Sequence, residues 1–155
     1  LIHQPSYNIL NRWVEDDGLL NTLDDLGIGS IAFTPLAQGL LTIKYLQGVP
    51  EESRANQDKS LDRQKLTPEL VENLKALNEL ASGRGQTLAQ MALAWVLRGE
   101  RITTALIGAS SAKQVVDCAG AVDRLDFTDS ELSKIDKLSG DIGINLWAKS
   151  SETES

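Results

Sequence analysis

Residues able to hold a charged ligand gather at two places where a short apolar run ends. In Ser30 to Tyr45, SIAFTPLAQGLLTIKY, the run meets Pro35 and then a loop of small residues carrying Gln38, Gly39 and Lys44. An amide, a glycine and an ammonium so spaced read as a ligand loop. In Thr103 to Gln114, TTALIGASSAKQ, a second run meets Gly108 and a Ser-rich helix start, whose free backbone N–H groups suit a phosphate. Two strand ends of this kind point to one nucleotide.

Single residues add to that reading, each with a plainer alternative. Gln4 closes the opening strand, and its amide suits either another amide or nearby loop backbone. Phe33 ends the second strand and offers a flat face for stacking or a core contact. Lys44 supplies a point charge and Arg54 a planar fork, suited to phosphate when not simply solvated. Gly108, Ser110 and Gln114 fit a phosphate turn, and equally a strand-to-helix cap built by Ser111 with Gln114. Trp147 reads as a wall of a substrate pocket or as tail packing, whereas Trp13 and Trp95 read as core. His3 and Tyr7 invite a general-acid role, but a lone His in a strand is more often structural.

The elements that must position these groups follow an α/β pattern. Leu1 to Gln4, Ser30 to Thr34 and Thr103 to Ile107 are short apolar runs of the kind buried on both faces of a parallel sheet. The spacing predicts a helix from Asp16 to Leu26, stopped by Gly27, and another from Thr67 and Pro68 to near Gly83. Thr87 with Gln90 forms a capping box before an apolar face of Leu88, Met91, Ala92, Trp95 and Val96. The same logic starts helices after Ser111, with Val115, Ala119 and Val122 as the apolar face, and after Thr128 with Glu131, ended by Gly140. Gly48 to Leu66 has little apolar content and reads as a surface loop.

Composition narrows the partners. A net charge of −7 and a pI near 4.7 disfavour nucleic acid, whose phosphates an acidic surface repels. No apolar run approaches the roughly 20 residues that span a bilayer, so no membrane partner is expected and a cytoplasmic protein is. Cys118 is the single cysteine; with one His it cannot build a Cys/His metal cluster or an intrachain disulfide. Leu1 to His3 already read as the middle of a strand, so the chain has the look of a fragment.

The motifs IHQPSYN, AFTPLAQGLLTIKY and LIGASSAKQ together resemble the last half of an aldo-keto reductase barrel, over nearly the whole chain. The resemblance is closest to the branch that holds the potassium-channel β subunits and bacterial L-glyceraldehyde 3-phosphate reductases. It implies the C-terminal half of a (β/α)8 barrel, about three parallel strands with helices, an inserted helix and a C-terminal extra helix. Residues 1–142 would form this cofactor-binding part and 143–155 a loop and tail. The implied cofactor is NADP(H) and the implied substrate a small aldehyde or ketone.

Carried over residue by residue, Gln4 meets the nicotinamide carboxamide, Phe33 stacks on its ring, and Thr34, Pro35 and Leu36 with Gln38 and Gly39 wrap the pyrophosphate. Lys44 and Arg54 pair with cofactor phosphates, and Gly108, Ser110 and Gln114 hold the adenosine 2′-phosphate and adenine. Asp117 and Cys118 stand where the branch has an acid and then Asn on the adenine; Ile43 stands where it usually has Gly before the Lys. The family's proton donor, a Tyr with its Lys, Asp and His, belongs to the front half of the barrel, so this chain alone is expected to be inactive. A non-catalytic, nucleotide-binding regulatory protein like the β subunits is the alternative. Unclosed strand edges in a half barrel favour a homo-oligomer.

Overall fold

The computed structural model describes residues 1–46 and 66–139. Three parallel strands, β1 (Ile2–His3), β2 (Gly29–Ala32) and β3 (Thr104–Ala105), lie in that order in one sheet. They are shorter than the apolar runs suggest. Only β2 has the half-buried alternation of a central strand; β1 is exposed and β3 nearly so. Burial on both faces therefore fails at the two outer strands, because each has a neighbour on one side only among the described residues.

The first crossover holds two helices, α1 (Trp13–Asp16) and α2 (Leu19–Asp25), where the periodicity predicts one. Gly18, at φ 72°, makes the break with a left-handed conformation that a side chain would resist. Gly27, at φ 62°, ends α2 as expected, with its N–H on the Asp24 carbonyl.

The second crossover is α3 (Pro68–Gly83) followed by α4 (Leu88–Leu97). Thr67 caps α3 by accepting from the Leu70 N–H, and Pro68 sits in the first turn, where its missing donor costs nothing. Thr87 and Gln90 form the reciprocal capping box that opens α4. That helix is apolar nearly all round and buries Leu88, Met91 and Trp95 in the core, beside Leu74 and Leu77 of α3. Trp13 packs against this core and donates its indole N–H to the Ser6 carbonyl at 3.0 Å, so both expected packing tryptophans are placed as such.

After β3 come α5 (Ala112–Ala119) and α6 (Asp129–Leu138), the latter with the Thr128–Glu131 capping box in place. Val115, Ala119 and Val122 do not form a buried face: α5 has no buried residue, and Val116 is 73% exposed. Instead α5 meets α4 through polar groups, Gln90 donating to the Asp117 carbonyl at 2.9 Å. Gly120 permits that approach, since a Cβ there would lie 2.7 Å from Gln90 Nε2.

A buried arginine ties α6 to the rest. Arg84 pairs with Glu131 at 2.7 Å, donates to Gln86 and to the Asp126 carbonyl, and stacks 3.8 Å from the Phe127 ring. Burial alone would raise the Glu131 carboxyl's pKa; the Thr128 N–H and the Arg84 guanidinium outweigh it and hold the group below the usual carboxylate range. The expected surface loop, apart from Leu66, and the Gly140 stop lie outside the described residues, as does the tail from 143.

Candidate functional site

Parallel register brings the expected ligand residues to one edge of the sheet. Ile2 pairs with Gly29 and His3 with Ser30, and the ladder continues to a bridge between Ser6 and Phe33. Ile31 pairs with Thr104 and Ala32 with Ala105, and Leu106 donates to the Ala32 carbonyl at 2.8 Å. Gln4, Phe33 and the segment leading to Gly108 thus leave their strands on the same side, the carboxyl side, where barrel enzymes carry their chemistry. Gln4 is exposed there, and Phe33 is half-buried, its backbone held by the Pro5 carbonyl and the Tyr7 N–H.

The loop after β2 is strained. Thr34, Ala37, Gln38 and Gly39 all have positive φ, at 54°, 48°, 58° and 98°. Three of these are not glycine, and one is β-branched, so the conformation costs of the order of 1–3 kcal/mol at each and must be imposed by its surroundings. Buried Pro35, Ala37, Leu40 and Leu41 anchor the loop in the core. Between them the Gln38 Oε1 is buried without a hydrogen-bond partner. A buried acceptor without a protein partner, inside a strained loop, leaves one hydrogen bond for another group to supply.

Beyond Gly39, Thr42 caps a short 3-10 turn, Ile43–Tyr45, by accepting from the Lys44 N–H. Ile43 takes no positive φ. The loop therefore accommodates the isoleucine at the position where the resemblance implies Gly without a positive φ. Lys44 is exposed, with its ammonium 5.6 Å from the Tyr45 ring centre. Arg54 and Trp147 fall outside the described residues.

A polar bracket braces Thr34, and the sequence reading passed over it. Ser6, Asn8 and Asn11 are buried. Ser6 Oγ meets Thr34 Oγ1 at 2.9 Å, Asn8 Nδ2 donates to the Thr34 carbonyl at 3.0 Å, and Asn11 Nδ2 donates to Ser6 Oγ at 3.1 Å. The signal was present: Ser6 and Asn8 alternate with Tyr7 and Ile9, which are fully buried, so small polar residues were interleaved with core positions.

At the end of β3, Gly108 and Ser110 are exposed, and Ser111 caps α5 by accepting from the Gln114 N–H. The expected reciprocal bond shifts by one residue, because Gln114 Oε1 accepts from the Ser110 N–H at 2.7 Å and the Ser110 hydroxyl at 3.1 Å. Asp117 and Cys118 are half-buried, and Asp117 accepts from the Thr87 hydroxyl at 3.4 Å. Burial, and then the Asp117 charge, push the Cys118 thiol's pKa up. In this arrangement Asp117 is engaged with the α4 cap, while Ser110 and Gln114 engage each other at an open helix start.

Tyr7 is not available as an acid. It is 1% exposed, and its hydroxyl donates to Glu15 while Arg98 donates to it at 2.9 Å. Burial pushes the phenol well above its ordinary range; Arg98 opposes that rise and Glu15 adds to it. A groove of about 610 Å3 between α3 and α6, lined in part by Arg84, Glu131 and Lys134, contains none of the expected cofactor residues. Among the described residues no group of His, Cys, Asp or Glu side chains is placed to hold a metal, and no helix is long and apolar enough to cross a membrane.

A three-stranded parallel sheet with loops gathered at its carboxyl ends fits part of a barrel or a doubly wound sheet, and comparison with known proteins decides between them. The Aldo/keto reductase family model matches residues 1–140, and the chain belongs to that family. It is 52% identical over 156 residues to an L-glyceraldehyde 3-phosphate reductase of Escherichia coli O157:H7, covering 98% of this chain and 45% of that protein. A putative voltage-gated potassium channel subunit beta of Schizosaccharomyces pombe is 36% identical over 140 residues, with 87% of this chain and 41% of that protein covered. The chain spans somewhat under half the length of these curated relatives, and the sheet described above is a partial (β/α)8 barrel.

Proposed function

We propose that this chain is the cofactor-binding half of a cytoplasmic, NADPH-dependent reductase of small aldehydes and ketones. The observation that carries the reading is the loop from Thr34 to Gly39: its left-handed run encloses a partnerless Gln38 carbonyl, on the sheet edge that also presents the α5 start. Gln4 and Phe33 would orient the nicotinamide, and Thr34, Pro35, Leu36, Gln38 and Gly39 the pyrophosphate. Lys44 and Arg54 supply positive charge, and Gly108, Ser110 and Gln114, with Asp117 and Cys118 behind them, receive the adenosine end. NADPH, when bound, supplies the hydride.

These residues bind and orient; they hold no proton donor, since Tyr7 is locked between Glu15 and Arg98. Turnover then needs groups outside this half, and the 155-residue chain alone reduces nothing. The reductases among its relatives are named for L-glyceraldehyde 3-phosphate, which makes a short phosphorylated aldehyde the first substrate to assay. A β-subunit-like sensor would use the same cofactor residues. Titrating the intact protein with NADPH, by quenching of tryptophan fluorescence, and then assaying aldehyde reduction tests both levels. Absence of binding removes the cofactor reading, and binding without turnover of any aldehyde favours the sensor.

A further inference from the structure

The polar bracket formed by Ser6, Asn8 and Asn11 is costly as mere filling. Each residue is buried next to Tyr7, Ile9 and Leu10, where apolar side chains of similar size would pack without a desolvation penalty. Their hydrogen bonds converge on one residue. Thr34 is held at its hydroxyl by Ser6 and at its carbonyl by Asn8, while Asn11 fixes the Ser6 hydroxyl from the other side. Asn8 is itself fixed: its Oδ1 accepts from the Leu10 N–H at 2.9 Å, and its backbone exchanges two hydrogen bonds of 3.1 Å with Asn11.

Thr34 is the residue that most needs holding. A β-branched side chain at φ 54° is a steric outlier, and without restraint the backbone relaxes toward extended values. That rotation would re-aim the chain from Pro35 to Gln38. We infer that Ser6, Asn8 and Asn11 are positioning residues for the cofactor loop: by clamping Thr34 in its left-handed conformation they set the affinity for NADPH without touching it. The inference rests on the cofactor reading above.

The test is a double-mutant cycle in the intact protein, read by NADPH fluorescence titration with thermal unfolding of the ligand-free protein alongside. Asn8→Ala removes the bond to the Thr34 carbonyl and is expected to raise the NADPH Kd about tenfold. In a Thr34→Gly background, where positive φ carries no steric cost, the same change should raise it less than about threefold. Steady-state kinetics should show the KM for NADPH rising and that for the carbonyl substrate unchanged, a split that general destabilisation does not produce. Equal losses in both backgrounds, or an unchanged Kd in a folded Asn8→Ala protein, overturn the inference while leaving the cofactor reading intact. If Asn8→Ala does not fold, Ser6→Ala decides: it keeps the carbonyl bond and is expected to weaken binding about threefold, and an unchanged Kd overturns the inference. Failure of the unmodified protein to bind NADPH overturns the cofactor reading, and the bracket's role with it.

Discussion

Gln38 offers the sharpest test, because one substitution should move stability and binding in opposite directions. Its buried Oε1 lacks a partner, and leaving such an acceptor unmet costs about 1–3 kcal/mol. At the lower end of that range the open acceptor costs about 1 kcal/mol. Gln38→Met keeps the length and the left-handed backbone, removes the carbonyl and should therefore raise the ligand-free protein's Tm by about 2 °C. If the carbonyl is reserved for the cofactor, the same change should weaken NADPH binding about tenfold. At a concentration 100 times the original Kd, ligand stabilisation should then fall from about 2.7 to about 1.4 kcal/mol. Thermal unfolding of the intact protein with and without NADPH reads both effects. A Met variant no more stable when ligand-free, with an unchanged ligand-induced shift, refutes the view that the strained loop keeps this acceptor open for a ligand.

Three further outcomes are expected. Lys44→Ala or Arg54→Ala in the intact protein should weaken NADPH binding by roughly 1.5–3 kcal/mol where the charge-assisted bond forms, and an unchanged affinity in both would make them solvated charges. The 155-residue chain alone should self-associate, since Ile2 on β1 and Leu106 just past β3 are 60% and 52% exposed; light scattering showing a monomer at all concentrations would contradict this. The carboxyls of Glu15 and Glu131 are both held below the ordinary range, each by hydrogen bonds that outweigh burial. Their contribution to stability is therefore full above the unfolded value of about 4.3 and is lost as pH falls through the folded value. Melting temperature should drop on that acid side, less steeply in Glu131→Gln; identical acid slopes would remove Glu131 from the account.

What the sequence shows of this fold depends on whether a signal is local. Capping at Thr87 with Gln90 and at Thr128 with Glu131 is written within four residues, and both helices begin where those pairs place them. The break at Gly18 is local too, but the surrounding apolar spacing masks it. Burial is different, because it belongs to neighbours. Val115 and Val122 have helical spacing, yet their exposure is set by what packs over α5, which its own residues cannot state. The candidate site divides the same way. The small and polar residues of the loops after β2 and β3 are visible in the sequence, whereas the positive φ at Thr34 and Ala37 is not, since neither residue prefers it.

That last mismatch is also the most informative one. Where a local preference is overruled, some nonlocal interaction must do the overruling, and here it comes from residues 26 and 28 positions earlier: Asn8 and Ser6 reach Thr34 across the parallel pairing of β1 and β2. The same segment carries Tyr7, whose N–H holds the Phe33 carbonyl and whose hydroxyl joins Glu15 and Arg98. Alternate residues thus face opposite ways, Ser6 and Asn8 bonding to Thr34 and Tyr7 to the helices α1 and α4 through Glu15 and Trp95. A substitution in this stretch can therefore act on the cofactor loop or on the core according to its parity. Asn8→Ala should alter binding more than melting, and Tyr7→Phe, which leaves Glu15 and Arg98 without the hydroxyl, should alter melting more than binding.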